Sequence, residues 1–270
     1  MENNFLNAVL GRTGFKVFRL GFSATYRPGT ATVYKALDEG INLFFCFGMD
    51  RQLIRVMHEK FKRERDKYIL VTGAGTYLLF YQNLRRALER RLRQLNTDYI
   101  DIFLFLGITK EKYFPLKARE ELIRLREEGK VRAIGVSTHD RKFAGQLAQE
   151  GIMDSLMIRY NAAHRGAEQD IFPYLSHHNP GLIAYTATRW SYLTRRPKAW
   201  PPNEPLPAAG MSYRFVLNNP HVHVCLTAPS NLKQFEENIS EIRKGPLTDE
   251  ELVLMRKFGD IVYKSKKWFM

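Results

Sequence analysis

The residues best placed to do chemistry in this sequence follow short apolar segments that have the composition of β-strands. The titratable side chains with this placement are Asp50, Tyr77, His139, Arg159, Tyr160, His164 and Arg189. An arginine can polarise a carbonyl oxygen, and a histidine can deliver a proton to it. His139, directly after the segment IGVST, is the best candidate acid by position. The alternative is that His139 and Asp140 cap the helix that follows them.

Histidine and cysteine occur in no pattern that predicts a metal site. His221 and His223 alternate along a predicted strand and therefore share a face, but the sequence offers no third ligand near them. The adjacent histidines at 177–178 are predicted to lie in a surface loop. Cys46 and Cys225 each stand inside an apolar segment, which predicts small core residues of a reduced protein rather than a disulfide.

Apolar segments alternate with helical patterns along almost the whole chain. The predicted strands span residues 19–24, 41–45, 67–72, 99–106, 131–137, 154–158, 181–186 and 222–227. The predicted helices span residues 31–38, 51–63, 83–95, 116–128, 140–150 and 231–243, and a last helix begins at the capping sequence TDEE of residues 248–251. A small hairpin from Leu10 to Val17 precedes all of them.

Strands that are apolar almost throughout and that are separated by helices predict a parallel sheet covered on both faces. Eight of them predict a (β/α)8 TIM barrel, with an N-terminal β-hairpin and a C-terminal helix. A doubly wound open sheet is the alternative, but no G-x-G-x-x-G motif follows the first strand, and Gly73-Ala74-Gly75 after the third is too short to replace it.

The length of 270 residues fits one barrel domain, residues 1–270. A proline-rich stretch within residues 190–210 is predicted to form a loop over the barrel mouth. No segment approaches the ~20 apolar residues of a membrane span, and the first residues lack the pattern of a signal peptide. We therefore expect a cytoplasmic protein.

The net charge of +14 could serve binding to nucleic acid or to an anionic membrane surface. The densest basic run, Arg85, Arg86, Arg90, Arg91 and Arg93, lies on one predicted helix beside a stripe of leucines. No aromatic and glycine-rich RNA-binding signature accompanies it. The sequence therefore favours a solvated helix face over a nucleic-acid site, with some charge left to meet a phosphorylated cofactor.

Six segments, taken in order, resemble the aldo–keto reductase superfamily. They are LGRTGFKVFRLGF, ALDEGINLFF, LRRALERRLRQLNTDYIDIFL, LREEGKVRAIGVS, RYN at residues 159–161, and LTAPSNLKQFEENI. Together they run across residues 9–258. The resemblance implies a (β/α)8 barrel that binds NADP(H) and reduces aldehydes or ketones without a metal or a flavin.

In that family a tyrosine protonates the carbonyl oxygen, and an ordinary tyrosine titrates near pH 10. A lysine paired with an aspartate lowers the pKa of that tyrosine, and a histidine orients the carbonyl. This chain has other residues at all four positions, with Phe45 for the aspartate, Asp50 for the tyrosine, Gly73 for the lysine and Leu106 for the histidine. Asp50 without a lysine cannot replace a phenol of tuned acidity, and it could equally begin the next helix.

At the positions that the resemblance assigns to cofactor binding, this chain retains more of the family's residues than at the catalytic positions. Tyr185 would stack on the nicotinamide and Thr186 would approach the pyrophosphate. After the eighth strand, the 2′-phosphate would be bound by Ser230, Asn231 and Gln234. The adenine would contact Glu237 and Asn238. Ser137 and Thr138 would hold the carboxamide, whereas the glutamine that completes this grip is Met157 here. A barrel-core aromatic at Tyr185 and an ordinary helix cap at Ser230 and Asn231 are the structural alternatives.

Three functional hypotheses follow. The first is an NADP(H)-dependent oxidoreductase that reduces a small carbonyl compound with an unorthodox acid, for which His139 is the weak candidate. The second is a pseudoenzyme that binds a cofactor or another ligand at the barrel mouth as a sensor or partner protein. Binding of a polyanion through the basic surface is a third, and it depends on charge alone.

Overall fold

Eight parallel strands close into a barrel, and a helix follows each of them. In this computed structural model, which describes residues 4–77, 80–81 and 83–265 and only the backbone at 76–77 and 80–81, the strands are Leu20–Ser23 (β1), Leu43–Cys46 (β2), Ile69–Tyr77 (β3), Ile100–Ile108 (β4), Val131–Thr138 (β5), Ser155–Arg159 (β6), Gly181–Tyr185 (β7) and Val224–Thr227 (β8). Each strand pairs with the next in chain order, and β8 pairs with β1 through Cys225 with Leu20 and Thr227 with Phe22. The predicted (β/α)8 barrel is confirmed.

The outer layer consists of helices that pack on the barrel. They are Thr30–Asp38 (α1), Arg51–Glu64 (α2), Leu84–Leu95 (α3), Leu116–Glu127 (α4), Arg141–Glu150 (α5), Ala167–Asp170 (α6), Met211–Asn218 (α7), Leu232–Ile242 (α8) and the C-terminal Asp249–Ser265 (α9). The capping sequence before α9 forms as predicted, because Thr248 and Glu251 exchange backbone-to-side-chain hydrogen bonds of 3.0 and 3.2 Å. No helix in the described part of the chain is long and apolar enough to cross a membrane.

Side chains alternate between the barrel interior and the helical layer along each strand. On β4, Ile102, Leu104 and Leu106 belong to the interior cluster, whereas Phe103 and Phe105 pack outward against the helices. Cys46 and Cys225 are free and buried on β2 and β8, as predicted. The described part of the barrel interior is therefore filled with apolar side chains.

The N-terminal hairpin closes the end of the barrel where the strands begin. Its strands, Asn7–Val9 and Lys16–Phe18, flank a 3-10 turn, so the hairpin starts earlier than predicted. Leu10 joins the interior cluster. Gly11 has φ +48°, and its Cα lies against the backbone that leads into β7, where a side chain would collide. The opposite end of the barrel is left open.

The end of β3 differs most from the sequence prediction. The strand continues to Tyr77, so Gly73 and Gly75 lie inside it rather than after it. A Cβ atom at either glycine would collide with a carbonyl oxygen of β4, that of Leu104 or that of Leu106. Two strands that approach so closely tolerate only glycine at these positions. The glycines lowered the apparent strand propensity, which ended the prediction at Thr72.

Two further predictions were incomplete. The helix α7 was not expected, because seven of its eight residues, Met211 to Leu217, are buried and it therefore shows no polar face in the sequence. On α3, Arg86, Arg90 and Arg93 are exposed as predicted, but Arg91 is only 9% exposed. Arg91 follows Leu84 and Leu88 along the buried face of the helix, so the interpretation of the whole arginine run as a solvated face was wrong at this residue.

Candidate functional site

A cavity of about 750 Å³ opens among the carboxyl ends of the strands, and we call it the mouth cavity. The residues that it takes from the strand ends include Phe45, Leu106, Ser137, His139, Tyr185 and Thr186. From the segment after β8 it takes Ser230, Gln234, Glu237 and Asn238. Four of the predicted site residues do not line it, namely Asp50, Gly73, Thr138 and Asn231. The structure thus brings together ten of the fourteen residues to which the sequence assigned a place in the site.

His139 and Tyr185 are in contact with each other on the wall of this cavity. The Oη atom of Tyr185 lies 3.2 Å from Nδ1 and 3.3 Å from Nε2 of His139, and the rings meet edge to face at 81°. The last residue of β7 is Tyr185, while the backbone N–H of His139, directly after β5, donates to the carbonyl of Ile108 over 2.8 Å. Asp140 alone caps α5, by accepting the N–H of Phe143 over 3.2 Å. The capping alternative therefore holds for Asp140 and not for the imidazole of His139.

Burial, followed by the positive charge of Arg159, lowers the pKa of His139 below its usual 6.5. Arg159 ends β6 and is half-buried, and burial also lowers the pKa of its guanidinium. The imidazole is therefore neutral at pH 7, with one nitrogen that donates and one that accepts. A phenol and a neutral imidazole in contact can share or exchange a proton.

The sequence predicts that Phe45, Asp50, Gly73 and Leu106 stand at the four positions of the expected catalytic groups. Phe45 and Leu106 are buried and present apolar surface to the mouth cavity. Gly73 lies within β3, where a side chain would collide with β4. Asp50 stands at the start of α2, accepts the N–H of Phe47 over 2.6 Å and lines a different cavity. Burial raises the pKa of its carboxyl group.

Tyr160 and His164 serve the fold. The hydroxyl of Tyr160 donates to Glu168 over 2.7 Å in a buried position. His164 is also buried, with Nδ1 3.3 Å from Oδ1 of Asn161. Burial, followed by nearby arginines, lowers the pKa of His164 to about 3. Neither residue lines the mouth cavity.

None of the remaining titratable candidates has a described side chain that lines the mouth cavity. Arg189 is buried and donates to the carbonyl of Val262 over 2.6 Å. The backbone of Tyr77 ends β3, but its side chain lies outside the described part of the structure. His221 and His223 precede β8, the first exposed and the second half-buried, so the prediction that they share a strand face was wrong. The histidines at 177–178 are exposed, as predicted.

The backbone after β7 is strained where it covers the mouth cavity. Thr186 has φ +59°, a conformation that is unfavourable for a β-branched residue, and its carbonyl accepts the side-chain N–H of Asn161 over 2.9 Å. Arg189, Trp190 and Ser191 follow with φ between +50° and +66°. Trp190 and Ser191 line the cavity. Strained backbone of this kind concentrates at ligand sites, because the surrounding structure must hold it in place.

The segment after β8 is ordered by its own side chains. Asn231 caps α8 by accepting the N–H of Gln234 over 2.9 Å, and the side chain of Gln234 accepts the N–H of Ser230 over 2.9 Å. The helix-cap alternative therefore describes Asn231, whose side chain is occupied by the cap. Ser230 and Gln234 remain on the cavity wall, beside the N-terminus of an eleven-residue helix.

A buried chain of hydroxyl groups supports Asn238. The amide of Asn238 donates to Oγ1 of Thr227 over 3.2 Å, and this hydroxyl donates to the phenol oxygen of Tyr213 over 3.1 Å. Tyr213 lines the mouth cavity, and burial raises the pKa of its phenol. No sequence pattern predicted Tyr213 as a site residue, because its helix α7 was not predicted.

Ser137 and Thr138 differ in availability. The hydroxyl of Thr138 donates to the carbonyl of Ile108 over 3.1 Å and accepts the N–H of Asp140 over 3.0 Å, so it is used by the fold. Ser137 lines the mouth cavity and makes no side-chain hydrogen bond to another described residue. Among the residues that the structure describes, no group of three histidine, cysteine, aspartate or glutamate side chains could hold a metal ion.

Comparisons with known proteins agree with this architecture. The sequence profile of the Aldo/keto reductase family matches residues 30–205, more than half of the chain. Aldo-keto reductase YhdN of Bacillus subtilis (strain 168) is 25% identical over 198 residues, which cover 64% of this chain and 59% of YhdN. Methylglyoxal reductase YeaE of Escherichia coli (strain K12) is 28% identical over 184 residues, which cover 66% of this chain and 64% of YeaE. The match thus spans less than two thirds of the length of either relative.

Solved structures extend the likeness to nearly the whole barrel. The holo form of aldo-keto reductase AKR11C1 from Bacillus halodurans superposes with a TM-score of 0.75 and 21% identity, over 93% of this chain and 95% of that one. An aldo-keto reductase from Klebsiella pneumoniae in complex with NADPH superposes with a TM-score of 0.72 and 20% identity, over 96% of both chains. At these identities the superpositions establish a shared fold.

Proposed function

Because the chain belongs to the aldo/keto reductase family, we propose that it binds NADP(H) in the mouth cavity and that any carbonyl reduction takes its proton from the His139–Tyr185 pair. The observation that carries this proposal is the composition of that cavity. It joins the ends of β5 and β7 to the segment after β8 and includes both members of the pair.

The residues present fit a nicotinamide nucleotide. The cavity volume of about 750 Å³ lies in the usual range of ligand pockets. Ser137 offers a hydroxyl to a carboxamide, and the ring of Tyr185 offers a face for stacking. Ser230 and Gln234 stand at the N-terminus of α8, where unpaired backbone N–H groups favour a phosphate. The NADPH complex of the structural neighbour from Klebsiella pneumoniae supports the same choice of cofactor.

When bound, NADPH supplies a hydride, and the protein must supply a proton to the carbonyl oxygen. The phenol of Tyr185 can release that proton, since a donor nitrogen of His139 can hydrogen-bond the phenolate that remains. The charge of Arg159 also favours that phenolate. The histidine and the arginine would therefore do for Tyr185 what a lysine and an aspartate do for the family's tyrosine.

A second candidate, a barrel that binds NADP(H) without turnover, is favoured by a separate observation. The walls at Phe45 and Leu106 are apolar, and the backbone at Gly73 has no space for a side chain. These features support a cavity without the usual arrangement of tyrosine, lysine and histidine. Under this candidate the protein would act as a sensor of the nucleotide or as a partner protein.

Fluorescence titration with NADPH and with NADH, followed by turnover assays on a panel of aldehydes and ketones that includes methylglyoxal, separates the two candidates. We expect NADPH to bind and slow reduction to occur, with Tyr185→Phe lowering kcat about 10²-fold or more, the usual contribution of a general acid. His139→Gln should lower kcat less, and Tyr113→Phe, an exposed tyrosine, should leave it unchanged. Binding without turnover would favour the second candidate, and failure to bind either nucleotide would exclude both.

A further inference from the structure

A buried arginine without a carboxylate partner lies beside β2 and β3, outside the mouth cavity. The guanidinium of Arg91 donates to Oε1 of Gln94 over 2.5 Å, to Oγ1 of Thr72 over 3.2 Å and to the carbonyl of Phe47 over 3.4 Å. All three acceptors are neutral, and no described carboxylate lies within 4 Å of it. Gly48, at φ +104°, provides the space for this guanidinium, because a Cβ atom there would collide with it. The fold therefore holds this positive charge in place with hydrogen bonds to neutral acceptors and without an ion pair.

Two cavities, with volumes of about 900 and 750 Å³, share a wall at Gly48, Met49 and Gln94, and Arg91 lines the smaller one. We call them together the arginine groove. The further arginines that line them are Arg27, Arg51 and Arg55 on one side and Arg86 and Arg90 on the other. None of these five side chains forms an ion pair with any residue in the described ranges.

The acidic residues of this region do not neutralise the groove. On α2 and α3, Glu59 accepts from Tyr34, Glu64 accepts from Tyr68, and Glu89 pairs with Lys130 at 3.5 Å. Asp50 lines the larger cavity of the groove and interacts electrostatically with Arg91, but its carboxylate is buried, accepts backbone N–H groups and is one negative charge among six arginines.

Arg85, one residue before Arg86 on α3, shows that the helix does pair an arginine where a partner is available. Its guanidinium donates twice to Glu128, over 2.6 Å each, and once to Glu121 over 3.0 Å. The same helix thus neutralises its charge on the side towards α4 and leaves it unpaired on the side towards the groove. An unneutralised set of guanidinium groups around a concave surface attracts anions.

We propose that the arginine groove binds a small polyphosphate anion, such as a pyrophosphate or the phosphate chain of a nucleoside triphosphate, at a site separate from the mouth cavity. One guanidinium group can donate two parallel hydrogen bonds to a phosphate group. Several arginines therefore suit a ligand with several phosphates better than one with a single carboxylate. The cavities have the volume of a small-molecule site. Nucleic acid is the weaker choice, since no exposed phenylalanine, tyrosine or tryptophan is found among the described residues that line the groove, and base stacking needs such a side chain.

The site is independent of the proposed cofactor function. The mouth cavity contains none of the six arginines, and it shares only Phe47 and Leu106 with the nearer half of the groove. A failure of NADPH to bind the wild-type protein would therefore overturn the proposed function and leave the polyphosphate site standing. The reverse result is equally separable, because the two ligands are titrated one at a time.

Isothermal titration calorimetry of the full chain with inorganic tripolyphosphate at 150 mM salt measures the Kd that tests the proposal. The double variant R86Q/R90Q removes two charges from the groove, and both residues are exposed, so the fold should persist with an unchanged Tm. The matched control R63Q/R93Q removes two charges from exposed positions of α2 and α3 that do not line the groove. We expect Kd to rise at least tenfold in R86Q/R90Q and less than twofold in the control, with the Kd for NADPH unchanged in both.

Three results would overturn the proposal. Equal losses of tripolyphosphate affinity in the two double variants would mean attraction to net charge alone. An unchanged Kd in R86Q/R90Q would place the anion elsewhere, with the mouth cavity as the first alternative. A single-stranded oligonucleotide that binds more tightly than tripolyphosphate, through the same two arginines, would assign the groove to nucleic acid instead.

Discussion

The phenol oxygen of Tyr185 lies 3.2 Å from Nδ1 and 3.3 Å from Nε2 of His139, so one edge of the imidazole ring faces the hydroxyl group. The two residues come from strands that are not neighbours, His139 from the end of β5 and Tyr185 from the end of β7. Arg159, at the end of β6 between them, lowers the pKa of His139 in addition to the larger effect of burial. Three adjacent strand ends thus set the protonation state of this contact.

Removing the charge of Arg159 should raise the pKa of His139. A positive guanidinium disfavours the imidazolium, so Arg159→Gln should move the pKa of His139 towards 6.5 while burial keeps it lower than in an exposed histidine. Titration of the imidazole by NMR between pH 4 and 8 measures this change. Arg195→Gln removes an exposed arginine from the stretch 190–210 and should leave the pKa of His139 as in the wild type. A pKa of His139 that stays the same or falls in Arg159→Gln would refute the electrostatic coupling.

Gly73 should not accept a side chain. In Gly73→Ala the new methyl group collides with the carbonyl of Leu104, so we expect the free energy of unfolding to fall by about 2–3 kcal/mol, as in overpacked cores. Gly73→Lys should destabilise the protein further and restore no reductase activity. Gly245→Ala is the control, because it has φ +86° but open space, and it should cost only the strain of about 1 kcal/mol. Urea denaturation measures all three, and a stable Gly73→Ala variant would contradict the close approach of β3 and β4.

The apolar strand segments made the barrel predictable, whereas several site features depend on contacts that no local pattern contains. Ser137, Tyr185 and Ser230 were predicted as site residues from a resemblance alone, and all three line one cavity. The contact between His139 and Tyr185 could not be predicted, since it joins side chains 46 residues apart. The phenol of Tyr213 was missed for a similar reason, because a helix that is buried on every side has no periodic pattern.

The arginines of α3 show a limit of reading a helix by composition. A run of basic residues predicts exposure for all of its members, but the spacing of Leu84, Leu88 and Leu95 leaves a gap on the buried face that Arg91 fills. An arginine fits there because Gly48, in the loop after β2, leaves space for its guanidinium group. Composition therefore gave the sign of the charge, and the tertiary structure decided where it remained unpaired.

Asp101 should be the carboxylate on which stability depends most. It is buried on β4 and accepts hydrogen bonds from Arg65 over 2.6 Å, from the N–H of Leu70 over 2.9 Å and from Arg132 over 3.0 Å. Asp101→Asn leaves Arg65 without its charged partner, so we expect a loss of about 3 kcal/mol in the free energy of unfolding. Asp260→Asn breaks the pair with Arg165 at a carboxylate that is 54% exposed, and it should cost no more than about 1 kcal/mol. Similar losses in the two variants, measured by urea denaturation, would contradict this ranking.

His223 should make the protein less stable in mild acid. Its Nδ1 atom accepts the N–H of Leu182 over 3.0 Å, and burial, with smaller effects of Arg19 and His221, lowers its pKa to about 4. In the unfolded chain the pKa of a histidine is about 6.5, so the unfolded state binds the proton more readily. The contribution of His223 to stability is therefore complete above pH 6.5 and is lost as the pH falls towards 4. Between pH 6.5 and 5 this residue alone should lower the free energy of unfolding by about 1.5 kcal/mol.

Substitution by glutamine tests this contribution, because a glutamine oxygen can accept the same N–H without binding a proton. His223→Gln should show a smaller loss of stability than the wild type between pH 6.5 and 5 in urea denaturation series, by about 1.5 kcal/mol. Part of the acid sensitivity should remain, since His164 is also buried, with its pKa lowered to about 3. The control His177→Gln changes an exposed histidine and should keep the pH dependence of the wild type. If His223→Gln loses as much stability as the wild type over this range, protonation of His223 does not contribute to the acid sensitivity.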